Sequence, residues 1–318
     1  MTSHMMTERP RVVIILGPTG VGKSKCAMQL AEELGGEIVS ADSMQVYQYM
    51  DIGTAKPTPD ERKQIKHHLI DWVTPDQPFH AGLYRALGRK TIDQLFKEGK
   101  PIWVVGGTGL YIRALIQGLF TSPKIDPGIR EKLKREAQEG SAGALHQRLR
   151  EVDPATADRL HPHDLFRIIR ALEIFDATGV PISFYRDQHR FGERPYRTLK
   201  IGLEIDRQSL YHCIDQRVDR MIEQGLLQEV RNLLAMGYSP QLKPMQSLGY
   251  KQVIQYLTKK IGWEEAITQI KRDTRHYAKR QWTWFKADPE IQWRDASIDR
   301  KRLVQEIGSF LREGGLKR

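Results

Sequence analysis

The 318-residue sequence predicts an α/β fold, a parallel sheet with crossover helices that carries an all-helical insert, and three observations lead there. Over residues 11–120 short apolar runs alternate with amphipathic stretches, the pattern of strands joined by crossover helices. The first run, RVVIIL, passes directly into GPTGVGKS, a glycine-rich turn that opens a helix. Between residues 121 and 196 the apolar runs stop, and helical spacing with Asp-Pro starts replaces them.

Val12–Leu16 reads as a short buried strand and KCAMQLAEEL as the helix behind it. The turn between them has the spacing G-x-x-x-x-G-K-S, formed by Gly17, Pro18, Thr19, Gly20, Val21, Gly22, Lys23 and Ser24. Its glycines let the backbone curl so that amides face inward, the helix N-terminus adds partial positive charge, and Lys23 adds a full one. Such a turn grips a diphosphate or triphosphate, with Ser24 placed to hold Mg2+, so the core reads as P-loop NTPase-like. A tight βα turn without a ligand is the competing reading.

Gly35 and Gly36 end the first helix, EIVS is the second strand, and Asp42 stands just past its end. HHLIDWV is the third strand, a helix spans Ala81–Glu98, and PIWVVGG is the fourth strand. TGLYIRALIQGL follows as a helix behind a second glycine-rich turn. Asp42, the phosphate loop and GGTGLY all emerge at the strands' carboxyl edge, where open α/β sheets bind ligands. In the insert, Asp126-Pro127 and Asp153-Pro154 open helices. DLFRIIRALEIFDATG carries Leu165, Ile168, Ile169, Leu172 and Phe175 at helical spacing, with Arg167 and Arg170 facing away from that stripe. TLKIGLEI returns as a strand, and QSLYHCIDQRVDRMIEQGLLQEV reads as one long helix. The expected organisation is an unstructured segment over residues 1–10, with SHM as a cloning remnant and Met6 as the start. A core over residues 11–120 and 197–318 follows, divided by the insert at 121–196.

An apolar content of 40% and a charged content of 28% are those of a globular chain with a real core. No apolar run reaches 18 residues, which argues against a membrane span. Cys26 and Cys213 make neither a disulfide framework nor a C-x-x-C site, as expected in a reducing cytoplasm. The net charge of +11 is concentrated toward the C-terminus, where residues 271–286 hold six basic residues and one acid. That run suggests a polyanionic partner larger than a nucleotide, or else a solvated helix face.

Kinases and NTPases with a phosphate loop carry an acid at the end of a later strand. Here the fourth strand ends WVVGGTG, and the acid at the carboxyl edge is Asp42, in SADSMQVY. A carboxylate there without a magnesium partner suits a general base, the alternative being a loop cap in an Asx-turn. HPHD at 161–164 and His67-His68 lack further ligands at metal spacing. Trp282, Trp284 and Phe285 suit a core or channel wall.

GPTGVGKS, SADSMQVY, DIGTAKP, HHLID, GGTGLYIRAL, QSLGYKQ and YAKRQWTWF occur in the order found in tRNA dimethylallyltransferases, and from Arg11 to Lys286 the chain resembles that family. The resemblance implies transfer of a dimethylallyl group from dimethylallyl diphosphate to N6 of adenosine 37, beside the tRNA anticodon. Residues 17–24 and Arg217 would hold the diphosphate, with Mg2+ on Ser24. Asp42 would be the base and Thr108 its partner near the adenine. Asp42, Ser43, Met44, Gln45 and Thr108 would lie against the flipped nucleotide, and Arg130, Arg167 and Arg170 against the anticodon stem-loop. Phe166 stands where enterobacterial members carry glutamine. The chain has no Asp-Asp pair and no C-terminal Cys/His finger of the eukaryotic kind. A cytoplasmic monomer is expected. A small-molecule or nucleotide kinase using ATP is the alternative.

Overall fold

The computed structural model describes residues 9–120, 125–140 and 143–313. The chain runs β1 (Arg11–Leu16), α1 (Lys23–Leu34), β2 (Glu37–Ser40), α2 (Pro59–Gln64), β3 (His67–His68), α3 (Ala81–Lys97), β4 (Ile102–Gly106) and α4 (Gly109–Gln117). Five helices follow: α5 (Pro127–Glu139), α6 (Ala144–Val152), α7 (Pro154–Ala157), α8 (Leu165–Thr178) and α9 (Ile182–His189). The chain then continues through β5 (Arg197–Glu204), α10 (Arg207–Glu223), α11 (Leu226–Ala235), α12 (Tyr250–Leu257), α13 (Trp263–Lys286), β6 (Ile291–Asp295) and α14 (Arg300–Arg312).

The six strands form one parallel sheet in the order β3-β2-β4-β1-β5-β6. β1 is central, and its register sets Leu16 opposite both Gly106 of β4 and Gly202 of β5. Because both faces are covered, Val12–Leu16 are all buried, which is why the strand reads as an unbroken apolar run. Val12, Ile14 and Leu16 face the side that holds Tyr111, Ile112 and Leu115 of α4. Val13 and Ile15 face Ala27, Leu30 and Ala31 of α1 and Leu303 of α14. The chain leaves β1 toward β2 on one side and β4 toward β5 on the other. The carboxyl ends of β1 and β4 therefore flank the crevice where such sheets bind ligands.

Three details differ from the sequence-based expectation. The third strand is confined to His67–His68, because Leu69 and Asp71 take left-handed φ values of 60° and 53°; Val73 returns only as a single bridge to Tyr47. The long helix after β5 is broken by Gly225 at φ 100° into α10 and α11. The sixth strand, IQWRD, is too short and too polar to announce itself.

Two compact units divide at Ile116/Gln117 and Glu193/Arg194. The Gln117–Glu193 unit has its own apolar core, including Leu133, Leu145, Leu149, Ile168, Ile169 and Leu172. Asp126 caps α5 by accepting from Gly128 N–H at 2.8 Å, and Asp153 caps α7 by accepting from Thr156 N–H at 3.0 Å. In each case proline fills the first turn, where no amide hydrogen is needed.

Candidate active site

β1 delivers the phosphate loop into a tight corner. At Gly17, φ is 141° and an added Cβ would lie 2.5 Å from the Leu203 carbonyl oxygen of β5, so only glycine fits. Gly22, at φ 92°, is the N-cap of α1 and offers no side chain to the helix amides, which leaves the end of α1 suited to an anion. The Lys23 ammonium donates to the Pro18 carbonyl at 2.7 Å. Burial pushes its pKa down to about 7, the charge of Arg217 adds to the fall, and Asp42 opposes it. Arg217 on α10 is lowered in the same way, first by burial, with Asp42 again opposing. Ser24 sits on the first turn of α1.

β2 delivers Asp42. One carboxylate oxygen accepts from Met44 N–H at 2.8 Å and Gln45 N–H at 3.3 Å, so the residue also caps its own loop. Thr108, after β4, accepts from Ser43 N–H at 3.0 Å and lies 3.3 Å from the Ser43 hydroxyl. The two loops are thus stitched together. Gln45 turns inward: its oxygen accepts from Ser40 at 3.0 Å, and its nitrogen donates to the carbonyls of Thr54 and Ala55 at 3.4 and 3.2 Å. It braces the loop, whereas Ser43 and Met44 line the cavity.

That cavity, of about 490 Å³, brings together Thr19 of the phosphate loop, Asp42 and Arg217. Its wall mixes the cations Arg217, Lys251 and Arg280 with apolar Met44, Val218, Met221 and Ile270. A diphosphate with a short hydrocarbon tail meets both of its needs there. The sequence reading does not single out Gln246–Gly249, Lys251, Tyr277 and Arg280 as lining residues, although QSLGYKQ and YAKRQWTWF stand out as segments. The Tyr277 hydroxyl is pushed up to about 12 by burial, and side-chain hydrogen bonds join it to Thr108 and Gln281.

The DIGTAKP segment is fixed from α11. The Glu229 carboxylate accepts from the N–H groups of Asp51, Ile52 and Gly53 at 2.8, 2.7 and 3.1 Å, and from the Tyr250 hydroxyl at 2.7 Å. Lys56, buried, donates to Asp51 at 2.5 Å and Asp71 at 2.6 Å. Gly53 and Thr54 reach the cavity wall from this clamped loop.

The basic run 271–286 is less of an open cationic face than its composition implies. Lys271 pairs with Asp219 at 2.6 Å and Arg275 with Asp215 at 3.0 Å, both acids on α10, while Lys286 pairs with Glu204 at 3.0 Å. Arg280 lies over the Tyr277 ring at 5.7 Å. Trp282 lies tilted against Trp293 at 5.3 Å between ring centroids, Phe285 is buried, and Trp284 is 42% exposed.

In the helical unit, Arg170 donates to the buried Glu173 at 3.0 Å, and Arg130 lies 3.6 Å from the same carboxylate. Arg130 also lies over the Phe166 ring at 5.6 Å, and Phe166 is 72% exposed. Arg167 pairs with Asp164 at 2.9 Å and stays largely in solvent. Among the described residues no cluster of His, Cys, Asp or Glu could hold a metal by itself, and no helix is long and apolar enough to cross a membrane.

A phosphate loop and the Asp42 carboxylate sharing one cavity at the carboxyl edge of a parallel sheet define an α/β enzyme of the phosphate-loop class. Known proteins narrow that class. The family model described as IPP transferase matches residues 45–288, and the chain belongs to that family. The chain is 55% identical over 296 residues to the tRNA dimethylallyltransferase of Syntrophobacter fumaroxidans, covering 93% of this chain and 86% of the relative. It is 50% identical over 306 residues to that of Desulfosudis oleivorans, covering 96% and 98%. Among solved structures, the full-length tRNA isopentenylpyrophosphate transferase of Bacillus halodurans matches with a TM-score of 0.72 and 37% identity, covering 96% of this chain and 98% of that one. A eukaryotic dimethylallyltransferase acting on tRNA matches with a TM-score of 0.83 and 28% identity, covering 97% and 81%.

Proposed function

We propose that the protein transfers the dimethylallyl group of dimethylallyl diphosphate to N6 of adenosine 37, next to the tRNA anticodon, and releases diphosphate. The observation that carries this reading is the shared cavity of Thr19, Asp42 and Arg217, in a chain whose relatives are named for that reaction. The diphosphate lies on the amides of residues 20–24, with Lys23 leaving the Pro18 carbonyl to meet it and Arg217 opposite. The hydrocarbon tail lies along Val218, Met221 and Ile270, which also keep water from the allylic carbon. Asp42 accepts the N6 proton as the N6–C1 bond forms, and the electron pair of the C1–O bond leaves with the diphosphate. Thr108 holds the Asp42 loop through Ser43 and so fixes the carboxylate against the amine.

Mg2+ suits the oxygens on offer, since this hard ion takes a few ligands from protein and substrate and keeps water for the rest. The Ser24 hydroxyl and the diphosphate would hold it, and it would offset charge on the leaving group. The arginines of the helical unit, with the exposed Phe166, hold the anticodon stem-loop.

Incubating the protein with labelled dimethylallyl diphosphate and unmodified tRNA, AMP or ATP tests the reading. Label on tRNA alone is expected. Label on AMP points to a free-nucleotide transferase. Phosphate release from ATP without prenyl transfer would restore the kinase alternative.

A further inference from the structure

We propose that Gln281 is a positioning residue that sets the donor loop and the adenine-facing turn in register with each other; this rests on the transferase reading above. The sheet locks the two loops only as far as the Leu16–Gly106 pair, the last rung between β1 and β4. Beyond that rung the phosphate loop and the GGTG turn diverge to α1 and α4 on opposite faces of the sheet. One amide spans the gap. The Gln281 oxygen accepts from Thr19 N–H at 2.8 Å, and its nitrogen donates to the Gly107 carbonyl at 2.8 Å. The residue is 7% exposed, so both bonds are sheltered from water.

The residues around it fit the same role. Tyr277, Gln281 and Trp284 follow one another at spacings of four and three, so α13 presents them as a single stripe. Tyr277 joins Thr108, Gln281 meets Gly107, and the Trp284 indole fills the space beside Gly109. A Cβ on Gly107 would run into the Gln281 amide nitrogen, so the close approach needs glycine at that position. The amide offers the acceptor and the donor together at the end of one side chain. A carboxylate keeps the acceptor but turns an oxygen toward the Gly107 carbonyl, and a thioether offers at best a weak acceptor and no donor.

The reaction needs the allylic carbon and the N6 amine at near-attack distance. A brace of this kind therefore acts on the transfer step more than on binding of either substrate alone. In Gln281→Met, single-turnover transfer from labelled dimethylallyl diphosphate to unmodified tRNA should slow by about 10²-fold, the cost of a misplacement near ~1 Å. The dissociation constants for donor and for tRNA, measured separately, should stay largely unchanged. Amide hydrogen exchange should quicken at residues 17–24 and 106–112. Gln281→Glu should be at least as slow and should bind the donor more weakly, because it adds negative charge beside the phosphate loop. A wild-type transfer rate in Gln281→Met overturns the proposal, as does a loss of rate matched by an equal loss of donor affinity. If the wild-type protein itself fails to modify tRNA, the transferase reading falls. The brace is then judged by exchange alone, and unchanged protection in Gln281→Met overturns it.

Discussion

At the scale of single residues the proposed mechanism gives proton transfer to Asp42 and phosphate binding to Lys23. Asp42→Asn keeps the shape and the loop cap but gives up the basic oxygen. Turnover should fall by roughly 10²–10⁴-fold while tRNA affinity holds, measured by single-turnover transfer and by filter binding. Lys23 behaves differently because burial holds its pKa near about 7 in the free protein. Below that pH it is charged in the free protein and in the complex, and it adds no pH dependence to binding. Above it the free protein has lost a proton that the bound diphosphate draws back. Donor affinity should then fall by up to about tenfold per pH unit, with proton uptake visible by calorimetry in buffers of different ionisation heat. Lys23→Arg, charged throughout, should flatten the profile; a profile as steep as the wild type's would place the titration on another group. Both residues were legible in the sequence because a motif or a strand end announced them. Gln281 and Glu229 were not. Their role depends on which backbone a helix meets, and no local pattern records that.

Among elements, α11 matters through one side chain. Glu229 gathers three successive amides and a buried tyrosine hydroxyl, and so shapes the loop that brings Gly53 and Thr54 to the cavity. Glu229→Ala should destabilise the fold by about 2–3 kcal/mol, read from the urea midpoint at unchanged slope, because charge-assisted bonds to buried partners are lost. It should also weaken substrate binding, and Glu229→Gln, which keeps an acceptor, should recover part of each loss. An unchanged midpoint in Glu229→Ala would show that the loop holds its shape without the clamp. The strands explain what could be read from sequence. β1, β2 and β4 are buried on both faces and appear as apolar runs. β3 stops after two residues because Leu69 and Asp71 turn left-handed, and β6 alternates without enough apolar residues to stand out. The α10–α11 break lies at a glycine inside an otherwise continuous helical pattern, a signal with two readings until the φ of Gly225 is known.

For the whole molecule the charge balance is the guide to RNA binding. Lys271, Arg275 and Lys286 of α13 are matched by acids on α10 and β5, so the net charge of +11 overstates what that helix offers a polyanion. In the helical unit Arg167 is exposed and held by a surface pair alone, which contributes little to stability. Arg167→Ala should leave the fold intact and flatten the slope of log K for tRNA against log salt by about 0.7, the worth of one phosphate contact. Arg130 and Arg170 need another design, since removing both strands the buried Glu173 carboxylate without these partners. Combining their replacement with Glu173→Gln removes that charge and isolates the RNA term. A slope unchanged in every variant would move the search to Lys279 and Arg280. The change of periodicity in the sequence sets the insert at 121–196, while the compact unit runs Gln117–Glu193; its buried ion cluster leaves no mark in the sequence, because Glu173 lies on a helix side that reads as polar.

The crowding around the second glycine turn has a consequence for how mutational surveys of this chain will read. Gly106 lies against the Ala41 backbone, Gly107 against Gln281 and Gly109 against Trp284, each closer than a methyl group allows. Any substitution there adds at least one carbon, so every missense change in three of four consecutive codons is a steric insertion. A scan that ranks positions by lost activity will place these glycines beside Asp42, although none of them carries a reactive atom. Intolerance at this turn measures the absence of space. Nearness to the chemistry has to be judged by whether a defect survives when the opposing side chain is trimmed, as in Trp284→Ala paired with Gly109→Ala.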